Sequence, residues 1–230
     1  PPGIYAGEIV LKSGGKVVKN LFLSVKVLPF KLPKPGIVSS IYYKGALNPD
    51  GAGTISAGNY FESKSDLQYK KEMEDLVAHG VDSPPLFVEW SRNRFDEKVL
   101  KQTLEIRKEA GIDNNTLYVW GRSTGAPVKD DELEKLKANA EAFIAYCRKN
   151  HGVDKFYFYG IDEARGERLT NQRKAWDIIH KAGGGVYVAG YKGTGKNDGN
   201  FDLMGDIQDI QVNAGVALKA EADKWHSKGK

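Results

Sequence analysis

The sequence has little cysteine and histidine, no long apolar run and no block of one charge sign. One cysteine, Cys147, stands among 230 residues, so neither an internal disulfide nor a cysteine zinc cluster is expected. The 34 basic and 30 acidic residues are interspersed, which argues against nucleic acid as a partner. No apolar stretch approaches about 18 residues, so we expect neither a membrane span nor a membrane partner.

The composition that remains is typical of a globular protein. It is 40% hydrophobic, 28% charged and 10% aromatic, which is enough to form a substantial core. The chain starts Pro1-Pro2-Gly3 without an initiator Met. We therefore expect a piece of a longer protein.

The first part of the chain reads as strands. Residues 1–30 contain "GIYAGEIVLKSGG" and "VVKNLFLSVKVLPF", two alternating segments joined by a Gly-Gly turn. A lone hairpin is only marginally stable, so we expect it to belong to an N-terminal β-sandwich. The Pro-rich residues 31–36 form the predicted linker, and residues 37–230 the predicted second domain.

From residue 37 onward, short apolar runs alternate with helical patterns. The predicted strands are "IVSSIYY", "PLFVEW", "TLYVWG", "KFYFYGI", "GVYVAGY" and "DIQDIQV". Most are apolar at both odd and even positions, as in strands that are covered on both faces. The first predicted helix begins with a Ser65/Gln68 capping box, the second begins at Asp96, and the third ends before Gly152. A fourth begins near Thr170, and the last lies in "ALKAEADKWHSK".

This alternation predicts an α/β fold with a parallel sheet, either doubly wound or a (β/α)₈ barrel of the TIM type. We prefer the barrel, because the loop after the first predicted strand, "YYKGALNPDGAG", is not a Gly-rich phosphate turn. About six strand-helix units are recognisable, fewer than the eight of a complete barrel. The barrel is therefore expected to be incomplete, and a missing segment or an oligomer partner would have to complete it.

In either fold, ligands bind at the carboxyl ends of the parallel strands. The fourth predicted strand ends at Asp162 and Glu163, an adjacent acid pair behind an apolar run. Aromatic and hydrogen-bonding residues at the strand ends suit a site that stacks sugar rings and binds their hydroxyls. The candidate substrate-binding residues are Tyr43, Trp90, Trp120, Arg122, Tyr159, Tyr191, Lys192, Gln211 and Asn213.

Two other interpretations of the acids stay open. Arg165 or Arg168 could pair with them in a structural ion pair. Alternatively, Glu89 could join Asp162 and Glu163 as a metal ligand in a metal-dependent sugar enzyme. The histidines lie near the ends of predicted helices, away from the expected site. We therefore predict neither a metal nor another cofactor.

Two stretches carry a resemblance to a known family. "KFYFYGIDEARGERLTNQRKAWDIIHKAGG" and "YAGEIVLKSGGKVVKNLFLSVKVLPFKLP" resemble glycoside hydrolase family 123 and the related DUF4091-like proteins. The resemblance implies a β-sandwich followed by a barrel, and an exo-β-N-acetylgalactosaminidase in which the acetamido group of the substrate is the nucleophile. It also implies that Asp162 orients this group, that Glu163 is the general acid/base, and that the protein is secreted or periplasmic.

The sequence thus predicts a glycoside hydrolase that removes a terminal N-acetylhexosamine by substrate-assisted retaining catalysis, with a glycan or glycoconjugate as its substrate. The alternative is a non-catalytic carbohydrate-binding or scaffold protein on a degenerate barrel, because strands are missing.

Overall fold

A computed structural model of the chain describes residues 1–31, 36–47, 62–88, 90, 95–121, 123–195 and 198–230. The chain divides into two compact units, Pro1–Ile37 and Val38–Lys230. In the described residues, no helix is both long and apolar enough to span a membrane.

The first unit is a β-hairpin. Strands β1 (Gly3–Ser13) and β2 (Lys16–Val27) pair antiparallel. The turn residues Gly14 and Gly15 have φ of 56° and 79°, the left-handed geometry that a two-residue hairpin turn of type I′ requires. This confirms the predicted hairpin, whereas the surrounding β-sandwich stays a prediction.

One face of the hairpin is apolar. Tyr5 pairs with Val25, and Ile9 with Leu21, on the same face of the two strands. These side chains are exposed, with between 40% and 47% of their surface accessible.

The second unit contains a parallel sheet whose order follows the chain. Its strands are β5 (Leu86–Phe87), β6 (Thr116–Trp120), β7 (Lys155–Tyr159), β8 (Gly185–Gly190) and β9 (Ile210–Asn213). The predicted parallel α/β architecture is confirmed. The order of these described strands has no reversal point of the kind that defines a doubly wound sheet. Closure of this sheet into a barrel stays a prediction.

The strand predicted over residues 37–43 is wrong. Residues 38–44 form no strand, and the backbone N–H groups of Asp82 and Ser83 both bond to the carbonyl of Ser39 instead. A short parallel pair, β3 (Gly45–Leu47) with β4 (Glu62–Lys64), lies further along the chain.

The predicted helices lie largely where the sequence indicates, whereas the short helix at Asn200–Met204 was not predicted. They are α1 (Asp66–Ala78), α2 (Glu97–Glu109), α3 (Asp130–His151), α4 (Gly166–Thr170), α5 (Arg173–Lys181), α6 (Asn200–Met204) and α7 (Lys219–His226). Ser65 and Gln68 form the predicted capping box, and Gly152 ends α3 in the left-handed conformation. The helix predicted from Thr170 is instead divided into α4 and α5.

The two faces of the sheet differ in their partners. Phe156 and Phe158 of β7 contact Phe143 of α3, so this face packs against the helices. The opposite face, which we call the aromatic face, consists of Tyr118, Trp120, Tyr157, Tyr159 and Tyr187. The core therefore lies between sheet and helices, and the aromatic face lies next to the acid pair.

Candidate active site

The acid pair lies in a turn at the carboxyl end of β7, which we call the acid turn (residues 160–165). Its backbone is bonded to the neighbouring strand β8, because Gly160 N–H donates to the carbonyl of Tyr187 at 3.0 Å. The buried side chain of Gln172 accepts the N–H of Ile161. The acid turn is thus fixed from two sides.

Gly160 is needed for close packing at the start of this turn. A Cβ built there would lie 3.1 Å from Gln172 Oε1, from Trp176 Cζ2 and from Val188 Cβ. Its own φ is not left-handed, so the close approach, and not backbone freedom, is the reason for a glycine.

Glu163 has an unusual backbone conformation. Its φ is 49°, and it is the one residue other than glycine with positive φ in the described part of the chain. The left-handed region costs a residue with a Cβ about 1 kcal/mol, and such strain concentrates at functional sites. The strained residue is here the predicted acid/base.

The Asp162 carboxylate is tied to the aromatic face. The Tyr159 hydroxyl donates to Asp162 Oδ1 at 2.7 Å. Burial, followed by hydrogen bonds to Tyr42 and Asp162, raises the Tyr159 pKa well above its usual range, so this phenol stays protonated. Asp162 is itself exposed, which leaves its second oxygen accessible to a ligand.

The Glu163 side chain lies beside a second tyrosine. Interaction of its carboxylate with the Tyr191 hydroxyl raises the Tyr191 pKa, and Arg165 partly opposes this rise. The Arg165 guanidinium lies 3.7 Å from the centroid of the Tyr191 ring, as in a cation–π contact. Glu163 is also exposed.

Neither competing interpretation of the acids is found in the described residues. Arg165 and Arg168 form no ion pair with Asp162 or Glu163 there. No group of three metal-ligating side chains occurs in the described ranges, and Glu89, part of the metal hypothesis, lies outside them.

The structure brings Tyr159, Trp120 and Tyr191 of the candidate binding residues close to the acids. Trp120 is half-buried, and its ring centroid lies 6.2 Å from that of Tyr159. Lys192 is exposed and follows Tyr191 in the loop after β8. Arg122 lies outside the described residues.

Of the other four candidates, Tyr43 and Trp90 contact other parts of the chain, whereas Gln211 and Asn213 lie in β9, where Asn213 pairs with Gly190 at the end of β8. The Tyr43 hydroxyl donates to Glu72 of α1 at 2.6 Å. Trp90 is fully buried, with its ring centroid 4.5 Å from that of Phe158. Gln211 accepts a hydrogen bond from Gln208, and Asn213 donates to the carbonyl of Gly215.

Two residues of the site are not among the candidate binding residues, although Tyr42 was expected, with Tyr43, at the end of the first predicted strand. Tyr42, the neighbour of Tyr43, lies with its ring centroid 5.0 Å from that of Trp120 and its hydroxyl 3.2 Å from that of Tyr159. Gln172 is the other, and nothing in its sequence surroundings marks it. The signal for Tyr42 was the "YY" pair itself, in which one of two adjacent tyrosines can face the site.

A cavity of about 330 Å³ adjoins the aromatic face. Its lining includes Tyr42, Tyr118 and Tyr187, with Ile210 and Val212 of β9. The buried hydroxyl of Tyr187 has no hydrogen-bond partner among the residues that the structure describes. The described lining of this cavity includes neither acid. The site itself consists of two exposed acids beside aromatic side chains, which are suited to a ring-shaped polar ligand.

Comparison with known proteins gives a distant likeness among solved structures. No protein-family model matches the chain, and no curated protein matches it. Among solved structures, the chain is similar to the crystal structure of Bacteroides uniformis β-glucuronidase, with 10% identity and a TM-score of 0.41. The alignment covers 98% of this chain and 28% of that one, so the chain spans little more than a quarter of that enzyme. So distant a likeness decides neither fold nor function.

Proposed function

We propose that the protein is a glycoside hydrolase that removes a terminal N-acetylhexosamine, of the galactosamine type, on an incomplete barrel. The observation that supports this best is the acid turn itself. Two adjacent carboxylates, one hydrogen-bonded to a tyrosine and the other on a strained backbone, end a parallel strand beside an aromatic face.

The proposed reaction uses the acetamido group of the substrate as the nucleophile. Asp162, with Oδ1 bonded to Tyr159, accepts the acetamido N–H through its other oxygen and so directs the carbonyl oxygen to the anomeric carbon. As the C–O bond to the leaving group breaks, the Glu163 carboxyl gives its proton to the departing oxygen. Water then attacks the cyclic intermediate and returns a proton to Glu163, and the anomeric configuration is retained.

The test is hydrolysis of 4-nitrophenyl β-N-acetylgalactosaminide and the corresponding glucosaminide. Glu163→Gln should lower kcat by about 10²–10⁴-fold, the usual range for loss of a general acid. Asp162→Asn should lower kcat/KM by about 10–100-fold, the loss of one hydrogen bond to a charged group. The matched control is Glu167→Gln, an exposed acid in α4, which should leave both rates unchanged. Undiminished turnover in Glu163→Gln would remove that residue from the acid role.

A second candidate, a non-catalytic carbohydrate-binding protein, is favoured by the aromatic face and its cavity. In that case Trp120→Ala should abolish saccharide binding, whereas an Asp162→Asn/Glu163→Gln double variant should retain it. If the protein is instead the proposed enzyme, the double variant should lose turnover.

A further inference from the structure

The hydrogen bonds between Tyr42, Tyr159 and Asp162 have only one consistent direction. An ionised carboxylate only accepts, so the single hydroxyl proton of Tyr159 goes to Asp162 Oδ1, at 2.7 Å. The Tyr42 hydroxyl lies 3.2 Å from the Tyr159 oxygen and must therefore be the donor of that pair. The N–H of Ala189 donates to the same oxygen at 3.4 Å. Tyr159 thus accepts twice and donates once.

We infer that Tyr42 is a positioning residue, which acts on Asp162 through Tyr159. By donating to Tyr159, Tyr42 fixes the direction of the Tyr159 proton and so fixes which Asp162 oxygen stays available to the ligand. This relay selects sugars that carry an acetamido group over the same sugars without one. The choice of sugar rests on the proposed function, whereas the coupling between the three residues does not.

The position of Tyr42 suits this role. Its ring lies edge-on to that of Tyr159, with centroids 6.0 Å apart at 83°, and is tilted against Trp120 at 5.0 Å. Burial raises the Tyr42 pKa, the hydrogen bond with Tyr159 partly opposes this rise, and the Asp162 charge adds to it. The pKa is raised overall, so the hydroxyl stays protonated and able to donate.

Tyr42 also comes from outside the parallel sheet. Its segment is held by Ser39, whose N–H donates to Asp82 Oδ1 at 3.0 Å. The relay therefore links the acid turn to a distant part of the chain, because Tyr42 and Tyr159 are 117 residues apart in the sequence. A change in that segment should therefore alter the hydrogen bonding of Asp162, although the segment does not contact Asp162.

The first test measures sugar affinity in a double-mutant cycle. Tyr159→Phe should weaken binding of N-acetylgalactosamine about 10–100-fold, and Tyr42→Phe about 2–10-fold. The variant with both changes should bind no worse than Tyr159→Phe alone, because Tyr42 acts only through Tyr159. Galactose should bind equally well to all four proteins.

The control is Tyr146→Phe, which removes a phenolic hydroxyl that donates to the carbonyl of Glu97 in α2. It should leave both affinities unchanged. Additive losses in the cycle, or equal losses for galactose, would mean that the two tyrosines contribute packing alone, and the relay would be overturned.

The second test is independent of any sugar. In protein labelled with ¹³C at tyrosine Cζ, Asp162→Asn should shift the Tyr42 signal, and the shift should disappear in a Tyr159→Phe background. Glu167→Gln should shift neither signal. A Tyr42 signal that stays in the same position in Asp162→Asn would overturn the relay. A coupled signal without sugar binding would instead overturn the proposed function and the sugar selection, while the coupling would stand.

Discussion

The backbone N–H of Glu163 donates to the carbonyl oxygen of Ala189 at 3.1 Å. This bond continues the pairing of β7 with β8 beyond the last paired residue of β7 and holds Glu163 in its left-handed conformation. The surrounding structure thus supports a backbone geometry that the residue would not choose by itself.

The strain at Glu163 can be measured by comparing Glu163→Gly with Glu163→Ala. Glycine adopts positive φ freely, so the Gly variant should exceed the Ala variant in free energy of unfolding by about 1 kcal/mol, measured by urea denaturation. Both variants should lose hydrolysis. Equal stability of the two would show that the backbone at residue 163 is unstrained.

Gly160→Ala should disturb the acid turn without touching either acid. The added methyl meets Gln172, Trp176 and Val188 at 3.1 Å, so these neighbours or β7 must move by a few tenths of an ångström. We expect a loss of about 1–2 kcal/mol in unfolding free energy and a fall in kcat that exceeds any change in KM. Gly125→Ala is unsuitable as a control because of its positive φ, whereas Gly7→Ala, with open space and ordinary φ, is suitable. A Gly160→Ala protein with full stability and activity would contradict the tight packing.

Asp209 gives a pH-dependent contribution to stability. Burial acts to raise the Asp209 pKa, but hydrogen bonds from His180 Nε2 and Val186 N–H, both 2.7 Å, lower it overall. A depressed folded pKa stabilises the protein above the unfolded value of about 4, and this stability is lost as pH falls through the folded pKa. Asp209→Asn should therefore lower the free energy of unfolding by about 1–2 kcal/mol at pH 7, and this loss should shrink as the pH falls below about 4.

The measurement is chemical denaturation of the wild type and Asp209→Asn across pH 2.5–8, in steps of about 0.5 pH units, so that the difference in unfolding free energy follows the titration of Asp209. Asp177→Asn serves as the control, since Asp177 is exposed and forms an ion pair with Lys181 four residues on. Its effect should stay below about 0.5 kcal/mol. A cost for Asp209→Asn that does not change with pH would assign it to packing.

Cys147 should be unreactive in the folded protein. Its side chain is fully buried in α3, and burial raises the thiol pKa to about 12. The thiolate is the reactive form, so an aromatic disulfide reagent at pH 8 should label the native protein only as fast as it unfolds. Because it is the one cysteine of the sequence, labelling reports a single position. Immediate labelling of the native protein would show that α3 opens locally.

Local signals explain what could be predicted from the sequence. The capping box at Ser65 and the left-handed Gly152 depend on a few adjacent residues, and both are found in the structure. The strands β6 to β8 were recognisable because they carry apolar or aromatic side chains on both faces, one packed against helices and the other forming the aromatic face.

The side-chain directions at the site depended on contacts that the sequence does not contain. The end of the first predicted strand was expected to bring Tyr42 and Tyr43 to the site. Residues 38–44 form no strand, however, and Tyr42 faces Trp120 whereas Tyr43 faces Glu72. Trp90 lies beyond the two-residue strand β5 and packs into the core. Gln172 reaches the acid turn from beyond α4, a contact without a local pattern.

The order of the parallel strands has a consequence for how this unit forms. Each of the strands β6 to β9 pairs with the strand that precedes it in the chain, so every new strand-helix segment leaving the ribosome meets an edge that is already made. Assembly can then proceed stepwise from the amino end, and the acid turn becomes fixed only when β8 arrives to receive it.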